Sequence, residues 1–391
     1  MRTIGVVTGA RSDYGIYLPI LRRMQQDPQL KLHLIVTGMH LAHQFGFTVQ
    51  EIEKDGFEIG DRIEMLLMSD TSEGIAKSLG VGVMGFAQSY TRFCPDVLLV
   101  LGDRLEMLAA VAAALSFKIP VAHIHGGEST QGAIDESIRH AITKMSHFHF
   151  ASTDSYARRI IQMGEEPWRV VVSGAPSLDN LSAIDLLSRQ EMKDAYGLTL
   201  HDSTLLVTYH PVTLEFEETE AQIRELLAAL GEMNRPVICT YPNADTQSHS
   251  VIELIHEFVE RDTQRSQIAV NLGTQGYFSL MSHAAAMVGN SSSGIIEAAS
   301  FELPVVNIGN RQSGRLRAKN VIDVGYARTE IVQGIKKALS AEFKAGLSDL
   351  MNPYGDGAAA DRIIGKLREL KLDGELLHKR FYQEAGWQEP C

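Results

Sequence analysis

Short runs of aliphatic and β-branched residues recur through this chain, each cut off by a polar, glycine-bearing turn and followed by a helical stretch. Val97-Leu98-Leu99-Val100-Leu101 is the plainest of them, apolar at every position, too short for a helix and closed by Gly102-Asp103-Arg104. A strand that is apolar on both faces belongs in a parallel sheet covered by helices on both sides. An alanine-rich helical run follows, then a second apolar run ending at His123-Ile124-His125-Gly126-Gly127-Glu128. A helical pattern through Asp135-Glu136-Ser137-Ile138-Arg139-His140-Ala141-Ile142-Thr143-Lys144 comes next. Asp103 and Glu128 are therefore expected at one carboxyl edge of a sheet, with Asp135 on the next helix. Open α/β folds bind their ligands at that edge.

The alternation begins with a strand at Ile4 to Thr8, which runs into Gly9-Ala10-Arg11-Ser12-Asp13-Tyr14-Gly15 and a helix carrying Ile16, Leu18, Ile20, Leu21 and Met24. The turn is not the G-x-G-x-x-G of dinucleotide sites. Leu32 to Val36 and Val170 to Val172 read as further strands and 71–93 as a long helix. Past residue 182 the pattern restarts. Strands are expected at Leu205 to Thr208, Val237 to Thr240, Ile268 to Leu272, Ala286 to Val288 and Val305 to Ile308. Helices are expected at 214–233, from the Gly289–Gly294 turn to Ser300, at 329–339 and at 358–370. The pattern predicts two doubly wound α/β domains, an N-terminal one over 1–182 and a C-terminal one over 183–371, with strand ends facing a shared cleft. A last helical stretch, Glu375 to Glu384, is long enough to cross back, and 372–391 is a candidate to complete the first domain.

A chain of 391 residues has room for two such cores. Its net charge of -12 argues against nucleic acid or an anionic membrane as the main partner, while leaving room for a local basic pocket. No apolar run reaches membrane-spanning length. Met1-Arg2-Thr3-Ile4-Gly5-Val6-Val7 enters a strand without a signal-peptide cleavage pattern, and the three cysteines show no disulfide or metal spacing, so a cytoplasmic location is expected.

Gly289-Asn290-Ser291-Ser292-Ser293-Gly294, with Glu297 beyond it, is the best phosphate candidate, because small residues at a strand-to-helix turn leave N–H groups and hydroxyls to face an anion. An ordinary helix start explains Glu297 but not three successive serines. Glu297 itself suits ribose hydroxyls. Arg11, Arg104, Arg311 and Arg315 each lie just past a strand end, where guanidinium forks suit a diphosphate. Asp135 and Arg139, four apart, read equally as a helix-surface pair. His210 is set before Pro211 at a strand end, and the next strand closes at Tyr241-Pro242-Asn243. Asp13, Asp103, Glu128 and Asp135 are acid/base candidates, with helix capping the alternative for Asp13 and Asp103. Strand alternation would place His123 and His125 on one face, but with Glu128 they lack a further ligand, so no metal is expected.

Together these pieces resemble the hydrolysing UDP-N-acetylglucosamine 2-epimerases of sialic acid and legionaminic acid precursor synthesis. The matching motifs are 9–15, Val36-Thr37-Gly38-Met39-His40, Gly102-Asp103-Arg104, 123–128, 135–144, His210-Pro211, 289–294 with Glu297, and Arg311-Gln312-Ser313-Gly314-Arg315. The resemblance implies a GT-B-like fold of two Rossmann-like domains, no cofactor, and a homo-oligomer (dimer or tetramer). It also implies a reaction in which a base takes the C2 proton while UDP leaves C1, and water then adds with inversion at C2. Asp13, Asp103, Glu128 and Asp135 would share the acid/base and water-positioning roles, left unassigned among them. Arg104, His210, Ser291 and Ser292 would hold the diphosphate, Glu297 the ribose, and Arg315 the nucleotide side; Arg11, Asn243 and Arg311 complete the candidates. Some members carry a glutamate where this chain has His125, so either His125 or Glu128 takes that role.

Three readings follow: the epimerase acting on UDP-N-acetylglucosamine, the same chemistry on a 2,4-diacetamido-6-deoxy relative, and a glycosyltransferase of the same fold. The non-hydrolysing epimerases fit less well, since they open with Gly-Thr-Arg-Pro-Glu where this chain has Arg11-Ser12-Asp13. A non-catalytic nucleotide-sugar sensor would not need so many carboxylates.

Overall fold

The computed structural model describes residues 1–67, 69, 71–130, 134–212, 215–242 and 247–383. The first unit comprises Met1–Glu128, Asp135–Asn180 and Tyr354–Cys391; the second comprises Ser129–Ile134 and Leu181–Pro353.

Seven strands form the sheet of the first unit: β1 (Arg2–Thr8), β2 (Leu30–Thr37), β3 (Ile59–Ile63), β4 (Val97–Leu101), β5 (Val121–Ile124), β6 (Phe148–Ala151) and β7 (Val170–Val172). All neighbours are parallel, in the order β3-β2-β1-β4-β5-β6-β7. β4 shows why the sheet is covered twice. Its side chains alternate between faces, so Val97, Leu99 and Leu101 join one core cluster while Leu98 and Val100 join another. The first cluster takes in the Arg11–Gln26 and Ala359–Glu369 helices, the second the Ser72–Arg92 and Leu105–Ser116 helices. The strand order reverses between β1 and β4, which opens a crevice at their carboxyl ends.

The second unit repeats the scheme with β8 (Leu205–Thr208), β9 (Val237–Thr240), β10 (Ser266–Ala269), β11 (Ala286–Gly289), β12 (Val305–Ile308) and β13 (Val321–Val324). The order is β10-β9-β8-β11-β12-β13, again all parallel, so the reversal falls between β8 and β11. Leu205 and Val207 face one core cluster and Leu206 the other. Both units are Rossmann-like.

Several elements differ from the sequence expectation. β3, β6 and β13 are additional strands, and β10 begins and ends before the expected Ile268–Leu272 because Val270 is exposed on an edge. The turn after β11 leads into one α-turn, Ser293–Ile296, and a 3-10 turn, Ala298–Phe301, in place of one helix. The chain re-enters the first unit at Tyr354, well before 372. The helix expected over 375–384 is a single turn, Gly374–Leu377. The buried Arg169 guanidinium takes the Glu375 and Leu376 carbonyls at 2.8 and 2.7 Å, and a longer helix would need those acceptors for itself.

Several buried histidines are held neutral. Burial pushes His123 down to about 3, and burial with the Lys379 and Arg169 charges pushes His147 down to about 4, from an ordinary 6.5. His40, His149 and His210 are lowered, chiefly by burial. Below pH 6.5 the unfolded imidazoles bind protons that the folded ones refuse, so stability rises with pH across that window. Lowering the pH from 6.5 towards 4 is expected to cost up to about 1.4 kcal/mol per pH unit for each of His123 and His147. Urea titrations at pH 7 and pH 5 read this directly, and equal midpoints would contradict it.

Candidate active site

The crevice of the first unit is lined by turns that follow β1, β4 and β5, with β6 next along the edge. After β1, Asp13 sits in the first turn of the Arg11–Gln26 helix and is buried. One carboxylate oxygen accepts from the Thr8 hydroxyl and the Ala10 N–H, both at 2.9 Å, and the other accepts from the Gly9 N–H at 2.9 Å. These bonds tie strand to helix, which is the capping role weighed for this residue. His40, from the turn after β2, bridges the Thr8 and Thr48 hydroxyls at 3.0 and 2.7 Å. Arg11, the first residue of the same helix, is exposed.

After β4, the left-handed Gly102 (φ 74°) turns the chain so that Asp103 meets the Arg139 guanidinium. Arg139 is 2% exposed and points inward from the Asp135–Met145 helix, so it is no helix-surface residue as the Asp135 spacing allowed. Asp135 itself is half-buried in the first turn of that helix. Arg104 holds Glu106 with two nitrogens, at 3.2 and 3.1 Å. Burial pushes the Glu106 carboxyl up, but the Arg104 charge and hydrogen bonds outweigh it and hold it below its usual range.

After β5 the two histidines part company. His123 closes the strand's interior, with Nε2 on the Gly102 carbonyl at 2.7 Å and Nδ1 at 3.3 Å from the Thr143 hydroxyl. His125 lies beyond the strand with φ 63°, so strand alternation does not relate it to His123. Its Nδ1 meets Glu128 Oε1 at 2.5 Å, and the Ser152 hydroxyl, just past β6, donates to the same oxygen at 2.7 Å. The chain can pass this close only through glycine, since a β-carbon on Gly127 (φ 72°) would lie 2.5 Å from the Tyr156 carbonyl oxygen.

In the second unit the turns after β8 and β11 are locked together. The Asn290 side chain accepts from the His210 N–H at 2.7 Å and donates to the His210 carbonyl at 2.8 Å. Arg311 and Gln312, past β12, donate to the Asn290 carbonyl at 3.2 and 2.8 Å. Burial, and then the Arg311 charge, push the His210 ring far below its ordinary value, so it is neutral. Ser291 and Ser292 are half-buried, and Glu297 is buried at the end of the one-turn helix. Arg315 is half-buried three residues beyond Gln312. Asn243 lies outside the described residues.

A sequence model described as UDP-N-acetylglucosamine 2-epimerase matches residues 22–368. The chain belongs to the UDP-N-acetylglucosamine 2-epimerase family. It is 39% identical to the UDP-N,N'-diacetylbacillosamine 2-epimerase (hydrolyzing) of Legionella pneumophila, over 97% of this chain and 99% of that one. It is 38% identical to the GDP/UDP-N,N'-diacetylbacillosamine 2-epimerase (hydrolyzing) of Campylobacter jejuni, over 97% and 98%. The crystal structure of UDP-GlcNAc 2-epimerase from Neisseria meningitidis bound to UDP-GlcNAc superposes with a TM-score of 0.81 at 19% identity, over 95% of this chain and all of that one. The fold is that GT-B-like class of two Rossmann-like domains.

Three polar side chains at these edges lie outside every motif quoted from the sequence: Glu106 and Ser152, described above, and Tyr277. The Tyr277 hydroxyl lies among those of Ser293, Thr208 and Ser291; burial raises it, the Glu297 charge adds, and the hydroxyls pull the other way. Glu106 alone carried a signal, an acid at the head of an apolar helix with Gly9 and Gly38 packed against it. A β-carbon on Gly38 would lie 2.5 Å from its Oε1. Among the described residues no three metal-binding side chains converge, and no helix is long and apolar enough to cross a membrane.

Proposed function

We propose that this chain hydrolyses a UDP-2-acetamido sugar with inversion at C2, releasing UDP and the free manno-configured sugar. The observation that carries the reading is the set of proton-transfer groups at the carboxyl ends of adjacent strands, Asp103 after β4 and the His125–Glu128 pair after β5. Taking a proton next to the acetamido carbon requires a positioned base, and loss of UDP requires donors for the departing charge. Asp103, His125 and Glu128 serve proton transfer, Asp135 serves it from the neighbouring helix, and Asp13 fixes the first turn. His210, Ser291, Ser292, Arg311 and Arg315 take the diphosphate and Glu297 the ribose. Arg11 and Arg104 add positive charge on the first unit.

The names of the relatives bear on the choice between the two substrates. Two at 38–39% identity are named for the diacetamido sugar, while the family as a whole is named for UDP-N-acetylglucosamine. Incubation with each UDP-sugar in turn, following UDP and free sugar, tests both the class and the substrate. Release of UDP with free 2-epimeric sugar is expected, with the higher kcat/KM on the 2,4-diacetamido-6-deoxy substrate. Transfer to an added acceptor with no free sugar would replace the reading with a glycosyltransferase. Light scattering on the same preparation reads the expected dimer or tetramer.

A further inference from the structure

His125 combines three features that are unfavourable for a residue with no task. Its backbone is left-handed at φ 63°, a conformation that suits glycine or asparagine. Its side chain is buried, at 6% exposure, and Nε2 has no hydrogen-bond partner among the described residues. A buried polar atom without a partner is uncommon in a folded protein and calls for a physical reason. His123, two residues earlier, behaves as a structural histidine does, with both nitrogens at hydrogen-bond distance from partners.

The other nitrogen explains what His125 is set up to do. Nδ1 faces Glu128 Oε1 at 2.5 Å, and that oxygen also accepts from Ser152. A carboxylate only accepts, so the neutral imidazole carries its proton on Nδ1 and its lone pair on Nε2. The His125 N–H donates to the Phe150 carbonyl at 3.1 Å, which fixes the residue against β6. A carboxylate orienting an imidazole so that its far nitrogen is a free acceptor is the arrangement of a general base.

We propose that His125 Nε2 is the base of the elimination, with Glu128 and Ser152 as its positioning residues. The proposal rests on the epimerase reading above. An N–H bond forms at Nε2 as the C2–H bond breaks, and the C–H electron pair becomes the C1–C2 double bond. The C1–O bond breaks and its electron pair leaves with UDP. The imidazolium is held by the Glu128 carboxylate until its proton is released with UDP. Water then adds across the double bond, hydroxyl to C1 and proton to the opposite face of C2.

Two variants keep the backbone at ease while removing the base, because asparagine and glycine both accept the left-handed conformation. His125→Asn and His125→Gly are expected to lose about 10²- to 10⁴-fold in kcat with KM little changed. Substrate deuterated at C2 should turn over more slowly than the protonated form in His125→Asn, since C–H cleavage then limits the rate. Added imidazole should restore kcat in His125→Gly, with substituted imidazoles ranking by basicity, which mere filling of space would not produce. Glu128→Gln, which keeps an acceptor but loses the charge, should lower kcat by about tenfold or more at similar KM. If His125→Asn stays within about threefold of wild-type kcat, or imidazole leaves His125→Gly unchanged, the base assignment is overturned. Wild-type turnover separates the two levels. Wild-type UDP release with free 2-epimeric sugar leaves the epimerase reading standing whatever the variants do, and its absence removes both.

Discussion

Replacing Asp103 with asparagine is expected to lower turnover by at least about 10³-fold while leaving UDP affinity within a few-fold of wild type. The carboxylate follows β4 at the point where the strand order reverses, and its partner is a guanidinium buried on a helix. Asparagine can fill the same space and its amide oxygen can still accept from Arg139, but it carries no charge and cannot carry a proton. Breaking a buried ion pair outright costs roughly 3–5 kcal/mol. The retained acceptor keeps the loss of stability below that, so the variant should fold. Initial rates, calorimetric titration with UDP and thermal unfolding separate the three quantities. Turnover close to wild type would take Asp103 out of the chemistry, and a parallel loss of UDP affinity would move it to binding.

The second large effect is expected at Gly289, which ends β11 directly beside Thr208 of β8. Its φ is 139°, and a β-carbon there would lie 1.9 Å from the Thr208 carbonyl oxygen, which also accepts the Asn290 N–H at 3.1 Å. Backbone on both sides leaves nothing flexible to yield. Gly289→Ala is expected to separate β11 from β8, break the Asn290–His210 lock and cost on the order of 4 kcal/mol or more. Gly197 provides the control, being left-handed at φ 71° with nothing within 4 Å of a new β-carbon. Gly197→Ala should cost only about 1 kcal/mol of backbone strain. Thermal unfolding of the two variants decides the matter, and equal melting of Gly289→Ala and wild type would contradict the described close approach. UDP binding should be lost with the first variant and kept with the second.

What could be read from the chain followed the strength of its local signal. β4, β8, β9 and β12 are short, apolar at nearly every position and bounded by turns, and their limits fall where the pattern placed them. β3 carries Gly60, Asp61 and Arg62 in five residues and draws its register from pairing with β2. β6 places a histidine between two phenylalanines directly after a helix, so no turn announces it. The site was legible where residues follow strand ends, as at Asp103, Glu128, His210 and Ser291. It was not legible where the deciding contact is remote. Arg139 belongs to Asp103 across 36 positions, and Ser152 belongs to Glu128 across 24. Spacing of four along a helix could suggest only Asp135 as partner for Arg139. The left-handed backbone of His125 is likewise set by what surrounds it, and nothing in the letters around it requires that conformation.

One measurement bears most directly on the proposed chemistry: the reaction run in deuterated water, with the products followed by proton NMR. Elimination and hydration require that the C2 hydrogen of the released sugar come from solvent, so the account predicts UDP and a free manno sugar carrying deuterium at C2. A free sugar that keeps its original C2 hydrogen, or an epimer still joined to UDP, would contradict it.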